Sequence, residues 1–462
     1  MGLTGDVAEW TAQTSIGDAP AAVVDAAKSA IIDTVAVILA GASEPVTRIV
    51  AEVVAEEGAS PIADRLGARL RTSMDGAAFV NGVSGHALDY DDVSPSMIGH
   101  PSVVILPAAL AAAQGAGASG RRLLEAYVLG VEVMTKLGRA MGNAHYRIGW
   151  HATSTLGTLG AAMAAGKLFG LEPEALQHAL AIAVSEASGS RQNFGTMTKP
   201  FHPGHAARCG VLAARLARKG MTGDTAILEA PLGYFAMFSH GEAATDGIRD
   251  TLGNPYDVLS PGMNVKRYPC CYATHRAADA VLDLTRAHEL RAGDVEGAEV
   301  VVPAGGLAAV TRDRPRTGLE GKFSLPYVVA AAVLDGRVTL DTFTDKMVQR
   351  PEAQTLLRAV RPVEDPSIPV VFNAIEEGYV VVKIRRRGGA VLERRVDYPR
   401  GAHQNPLSRD ELHAKFRDCA RRVLSPAQSE RALALLTSLE DLPRLDELVA
   451  ALIPVGSDAG RF

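Results

Sequence analysis

Between His86 and Ser102 the chain reads HALDYDDVSPSMIGHPS, placing three aspartates and two histidines in one short run that is otherwise small and apolar. Imidazoles exchange protons near neutral pH, and a buried carboxylate needs a cation or several hydrogen-bond donors beside it. Pro95, Ser96, Gly99 and Pro101 make the stretch a loop between helical patterns. Loops held by a rigid scaffold are where catalytic groups concentrate. Asp89, Asp91 and Asp92 cannot all be buried charges without partners, and capping of a turn and of the next helix accounts for two of them. His100, just before Pro101, resists that structural explanation and is the first candidate for proton transfer.

Three further clusters carry similar chemistry. Gly149 to Thr155 (GWHATST) sets His151 and three hydroxyls ahead of a small-residue helix, whose free N–H groups and dipole favour a bound carboxylate. Ser154 or Thr153 as an ordinary helix cap is the plain alternative. Thr196 to His205 (TMTKPFHPGH) holds Lys199 among prolines and glycines, leading into a helix from Ala206, as a fixed cation for a substrate carboxylate or else as a solvated loop lysine. Lys266 to His275 (KRYPCCYATH) supplies a second substrate-binding lysine, Lys266, and a third histidine, His275, at a point where two domains are expected to meet and ligand clefts commonly form.

Other chemistries are poorly served. Adjacent Cys270 and Cys271 without a CxxC partner, and the lack of HExxH, argue against zinc; His202 and His205 have no evident third ligand. No GxSxG or GxGxxG follows a strand, which disfavours a serine hydrolase and a bound dinucleotide. No metal and no cofactor is expected. Histidines 100, 151 and 275, Lys199 and Asp89 suit proton abstraction and delivery beside the carboxylates of a small polyacid, with cations holding those carboxylates.

The elements that must position these groups are mainly helical. From Pro20 to Leu39 apolar residues recur at Val23, Val24, Ala27, Ile31, Val35 and Ile38, starting at a proline and ending at Gly41. Similar patterns cover 103–114, 123–140, 155–169, 173–185, 206–218 and 277–288. After about Pro261 the character changes. Glu299 to Pro303 reads as a short strand, and Tyr379 to Arg385, Gly388-Gly389 and Ala390 to Val396 read as a hairpin with a glycine turn. Phe323 to Leu334 predicts a buried helix, and Ser408 with Glu411 predicts a capping box for a helix returning to the first domain. The run from Arg385 to Arg387 is the solvated end of a hairpin strand, and the tail from Pro454 a frayed terminus.

With 462 residues the chain exceeds one hydrophobic core, so two domains are expected. A net charge of -5 offers no footprint for nucleic acid or an anionic membrane, and charge or proline interrupts every long apolar stretch. Four cysteines make no disulfide framework, and no basic-then-apolar leader precedes Asp6, so the expected compartment is a reducing cytoplasm.

In order and spacing, HALDYDD...HPS, GWHATSTLGTLGAAMAAGKLFGL, FGTMTKPFHPGHAARCGVLAARLA, KRYPCCYATHRAADA and GKFSLPYVVAAAVLDG resemble the MmgE/PrpD family, which contains 2-methylcitrate dehydratase, cis-aconitate decarboxylase and iminodisuccinate epimerase. The resemblance spans essentially the whole chain. It implies a mainly α fold: a large all-helical domain, 1–262 completed by 403–462, and a smaller inserted α/β domain, 263–402, with a cofactor-free cleft between them in a homodimer. Carried over position by position, the active-site acid falls on Asp89 and the histidines on His100, His151 and His275. The lysine falls on Lys199, and a further contact on Tyr327. One position departs: many relatives acting on citrate-like acids have threonine where this chain has Val93, and the spacer Ser94 to Gly99 differs from that of the decarboxylase. A hydroxyl that could hold a carboxylate or a leaving hydroxyl is lost there.

These features lead first to a hydro-lyase that removes water from a 2-methylcitrate-like acid. One of His100 and His151 would take the α proton, and another acid, such as His275, would protonate the departing hydroxyl. The alternatives are an epimerase of a dicarboxylate such as iminodisuccinate, for which Val93 is easier to accept, and a cis-aconitate decarboxylase. The expected partner is a small polycarboxylate substrate.

Overall fold

Small side chains set how the first part of the molecule packs. The computed structural model describes residues 2–371, 373 and 377–455, and within them nine long helices precede residue 220. They are α1 (Leu3–Gln13), α2 (Ala21–Gly41), α3 (Pro45–Glu56), α4 (Met74–His86), α5 (Ser102–Ala116), α6 (Gly120–Ile148), α7 (Ala152–Leu168), α8 (Pro173–Glu186) and α9 (Thr198–Arg218). Alanine and glycine at the crossings let backbones approach closely. A methyl group on Gly160 would lie 2.7 Å from the Gly130 carbonyl oxygen, and one on Gly82 only 2.6 Å from the Gly204 Cα. The first 220 residues are not entirely helical, since β1 (Ala63–Asp64) and β2 (Arg71–Thr72) form a two-residue antiparallel ladder before α4.

The Gly82–Gly204 contact fixes the site. It brings α4 and α9 together in antiparallel sense, so His86, one turn beyond Gly82, meets Lys199, about one turn before Gly204. The sequence predicts a loop up to Ala206, whereas α9 begins at Thr198. Pro200 falls in the first turn, where no intrahelical N–H is needed, and the close crossing at Gly204 offsets the one hydrogen bond lost at Pro203. Helix α4 itself escapes the periodicity reading because MDGAAFVNGVSGH is small and buried almost all round.

Beyond residue 290, β3 (Val295–Pro303), β4 (Val360–Asp365), β5 (Val380–Arg386) and β6 (Val391–Val396) form a sheet in the order β4-β3-β5-β6. The β3–β4 pair is parallel and the others antiparallel, with the expected hairpin joining β5 to β6. Helices His275–His288 and Leu325–Asp335 pack on it, giving the mainly α fold its small α/β portion. One hydrophobic core draws on residues from Val7 to Val258 and again from Leu412 to Leu452; a second draws on Tyr268 to Val396 with Val93, Tyr146 and Phe194.

The helix Arg409–Ala420 starts with the expected capping box, Ser408 Oγ accepting from Glu411 N (3.2 Å) and Glu411 Oε2 from Ser408 N (2.8 Å). Its Leu412, Phe416 and Cys419 lie in the first core. Its Lys415 donates to the carbonyls of Tyr90 and Lys266, both at 2.9 Å, and so tethers two segments of the site from behind. The expected frayed tail falls largely on residues 456–462, outside the described ones. Among the described residues no helix is long and apolar enough to cross a membrane.

Candidate active site

Where the two cores meet, a cavity of about 50 Å³ is lined by Asp89, Val93, Gly99, His100, His151 and Lys199 from the helical part and by Lys266, Cys271, Tyr272, Ala309 and Phe323 from the other side. Of the sequence candidates, Asp89, His100, His151, Lys199 and Lys266 therefore converge. His275 stands one ring away: it packs against Tyr272, which lines the cavity, with 5.0 Å between ring centroids, and its Nε2 approaches the Cys270 carbonyl (3.3 Å). Tyr327 is not brought to the cavity. It is buried in the second core with its hydroxyl donating to the Thr342 carbonyl (2.6 Å) and its ring against Phe343, because the helix beginning at Leu325 turns that face toward the 340–343 turn; Phe323, just before the helix, reaches the cavity instead.

Each aspartate of the opening stretch is buried and each has a different partner. Asp89, in a left-handed turn at φ 51°, lies between two ammonium groups: Lys199 Nζ is 2.5 Å from Oδ1 and Lys266 Nζ 3.1 Å from Oδ2. Burial alone would raise its pKa, but the two lysines carry it well below the ordinary carboxylate value. Asp91 accepts from His86 Nδ1 (2.8 Å) and lies 3.2 Å from His100 Nδ1, and these imidazoles likewise hold it ionised against the effect of burial. Asp92 accepts from the Ser102 hydroxyl at the start of α5, and Ser102 in turn meets Tyr127 OH (2.6 Å). With no cation nearby, burial pushes it up to about 8, the Ser102 hydrogen bond offsetting only part, and Asp33 and Asp91 adding to the rise. Capping of a turn and of the next helix is the role expected of two of the three; Asp92 meets the start of the next helix, its Oδ1 accepting from Ser102 N (3.4 Å), while Asp89 and Asp91 are held by lysines and imidazoles.

The network assigns the imidazole tautomers. His100 Nδ1 faces the Asp92 carbonyl (2.8 Å) and the Asp91 carboxylate, both acceptors, so Nδ1 carries the proton and Nε2 is left with a lone pair on the cavity side. Burial, together with Lys266 and Lys199, lowers the His100 pKa despite Asp91, so the resting imidazole is a neutral base. His86, missed by sequence reading, carries its proton on Nδ1 toward Asp91, and its Nε2 accepts from Lys199 Nζ (2.7 Å). Lys199 thus spends two of its three N–H groups on His86 and Asp89, with the rings of Phe194 and Phe323 each 5.2 Å away; the third remains for a ligand. His151 pairs through Nδ1 with His202 Nδ1 (2.9 Å), and burial and His202 hold it neutral.

His86, Asp89 and His100 offer ligand atoms within 4.8 Å of one another, as a metal site would, but the Lys199 ammonium already contacts two of the three and takes the place of a cation. His202 and His205 part company, His202 toward His151 and His205 toward Cys209 and Glu186. Lys322 was also missed. Buried, and lowered to about 8 by burial, it donates to the carbonyls of Leu88 (2.6 Å) and Pro269 (3.0 Å), pinning the acid loop to the segment leading to His275.

A buried network of imidazoles and carboxylates facing paired lysines, at the seam of a helical bundle and a small α/β unit, is matched along the chain by known proteins. Residues 5–246 match the MmgE/PrpD N-terminal domain and residues 268–441 the MmgE/PrpD C-terminal domain. The chain is 32% identical over 388 residues to the cis-aconitate decarboxylase of Homo sapiens, covering 81% of this chain and 79% of that protein. It is 26% identical over 474 residues to that of Aspergillus terreus, covering 98% and 96%. A mitochondrial 2-methylcitrate dehydratase of Yarrowia lipolytica is 30% identical over 129 residues, 26% of this chain and 24% of that protein. The chain belongs to the MmgE/PrpD family, and these relatives bear the names of lyases.

Proposed function

We propose that this chain is a lyase that develops a carbanion beside a carboxylate of a small polycarboxylic acid, and that its reaction is decarboxylation of a cis-aconitate-like unsaturated triacid. The observation that carries this reading is the open Nε2 of His100 on the same small cavity as the Lys199 and Lys266 ammonium groups. The lysines hold substrate carboxylates through N–H groups not committed to Asp89. The negative charges of the bound acid oppose the field that keeps His100 neutral, so substrate binding draws a proton onto Nε2.

In the reaction the C–C bond to the departing carboxylate breaks and CO₂ leaves. The electron pair shifts through the adjacent alkene, and the far alkene carbon takes the proton from His100 Nε2. One proton is consumed for each CO₂ released. Val93, Ile98, Phe194 and Phe323 present no donor to a departing anion, which suits loss of a neutral molecule. Dehydration, the first expectation from sequence, needs an acid at the leaving hydroxyl; Val93 supplies none and His275 lies a ring behind the wall. The length-wide likeness to decarboxylases, against a quarter-length likeness to the dehydratase, supports the same choice.

A second reading has its own observation. His100 and His151 rings stand 6.5 Å apart, both on the cavity, and two neutral imidazoles across a substrate suit removal of an α proton and its return on the other face. Incubation with citrate-like and aspartate-derived acids in D₂O, followed by proton NMR, separates the reactions. Decarboxylation gives CO₂ and a methylene product carrying one deuterium. A new alkene from a hydroxy acid marks dehydration, and α-deuteration without a new alkene marks epimerisation. No reaction with any acid, from folded protein, overturns all three.

A further inference from the structure

A second pocket, of about 290 Å³, lies at the turn between β1 and β2 on the first core and is lined by four arginines: Arg48, Arg65, Arg69 and Arg422. Among the described residues no acidic side chain lines it. Arg65 is only 4% exposed, yet among the described residues it meets no carboxylate; Nη2 donates to the Ala42 carbonyl (2.6 Å) and Nε is buried with no acceptor. Among the described residues Arg69 likewise meets no carboxylate, its Nε donating to the Pro454 carbonyl at 3.3 Å. Arg422 stands 3.8 Å from Asp341, an exposed residue. A guanidinium taken out of water without a counter-charge is costly, and one with an unused N–H is a group waiting for an acceptor.

The pocket is also rigid. Arg65 N donates to the Leu70 carbonyl (2.9 Å), Leu66 N to Asn81 Oδ1 (2.9 Å) and Gly67 N to the Leu452 carbonyl (3.0 Å). Gly67 adopts φ 73°, and a methyl group there would lie 2.7 Å from Ala42 Cβ, so this turn holds Arg65 hard against the end of α2.

We propose that this pocket is a binding site for a small multivalent oxyanion, separate from the candidate active site. Planar guanidinium groups grip phosphate or carboxylate oxygens in pairs, and a concave site of this size takes a small molecule. Phosphate and carboxylate chemistries meet the same donors, so the test uses one probe of each kind. Inorganic pyrophosphate and tricarballylate are titrated calorimetrically at low salt into the full chain, into Arg69→Gln/Arg422→Gln and into Lys199→Ala. The expected result is that at least one anion binds the full chain, weakens about tenfold or more in the double arginine variant and is retained by Lys199→Ala. Both altered arginines are exposed, and an unchanged melting temperature and basal turnover show that the double variant is intact. Tricarballylate binding lost with Lys199 belongs to the candidate active site; if no binding that survives Lys199→Ala is weakened by the arginine changes, or neither anion binds, the proposal is overturned.

Discussion

Asp89 and Asp92 are three residues apart and both buried, yet they are driven in opposite directions: Asp89 is held ionised by two lysines and Asp92 is pushed up to about 8 with the hydroxyl and backbone N–H of Ser102 as its partners. Burial alone therefore does not tell an ionised carboxylate from a neutral one. The partners do, and they come from distant elements. Asp89 receives Lys199 from α9 and Lys266 from the seam, whereas Asp92 receives the Ser102 hydroxyl, itself held by Tyr127, from the helices directly behind it. The acid that faces the cavity, Asp89, is charged and paired with lysines, Asp91 behind it is charged and paired with imidazoles, and Asp92, facing the core, is neutral.

This contrast is most directly broken at His100. His100→Ala is expected to lower turnover by about 10²- to 10⁴-fold with the fold intact, as loss of a general acid-base group does. Full turnover, measured on protein with an unchanged circular dichroism spectrum, would remove His100 from the mechanism. A companion measurement concerns its protonation. Binding of unreactive tricarballylate to the full chain should take up a proton, seen as a calorimetric heat that varies with the ionisation enthalpy of the buffer. A buffer-independent heat contradicts proton capture on Nε2.

A smaller effect is expected from Asp91→Asn. Asp91 lies behind the His100 ring rather than on the lining of the active-site cavity, and it fixes the His100 tautomer from there, so this is a positioning role. The amide can present an N–H to Nδ1 and turn the lone pair away from the cavity, lowering kcat by roughly 10- to 100-fold while KM changes little. A rise in KM with unchanged kcat would mean that Asp91 shapes binding instead.

Much of this site was legible in the sequence, because ionisable residues within small, apolar, glycine- and proline-marked runs have few structural reasons to be there. Asp89, His100, His151 and Lys199 were found that way. His86 was not, since a lone histidine ending an unrecognised helix looks ordinary; its signal was the acid run three to six residues downstream, which needed a partner. Helix α4 was missed because hydrophobic periodicity fades in a helix that is buried almost all round. Lys199 was expected in a loop because two prolines outweigh helical pattern locally, while the glycine crossing that overrules them joins segments some 120 residues apart in the chain. Tyr327 shows the limit of carrying a motif across: the segment reaches the cavity, but with Phe323 rather than with the tyrosine.

The neutral acid facing the core gives the next prediction. The Asp92 pKa is raised in the fold, so its contribution to stability is fully present below the ordinary carboxylate range, near pH ~4, and is lost as pH rises through about 8. Asp92→Asn keeps an uncharged, hydrogen-bonding group at the site. The variant should therefore gain on the native protein between pH 5 and pH 9, by up to a few kcal/mol, with turnover at neutral pH within a few-fold. Denaturant melts across that range check it; a difference that does not move with pH would mean that Asp92 is ionised in the fold, like Asp89.

The smallest effect is expected at Tyr327. Replacement by Phe removes one buried hydroxyl and leaves the Thr342 carbonyl without its donor, a loss of about 1 to 2 kcal/mol in stability. Because the hydroxyl points into the second core and Phe323 lines the cavity, kcat and KM should stay within a few-fold of the native values. A loss of turnover comparable with that of His100→Ala, at unchanged stability, would mean that the Leu325–Asp335 helix presents its other face to a bound substrate, and that the cavity wall on this side is rebuilt when the acid enters.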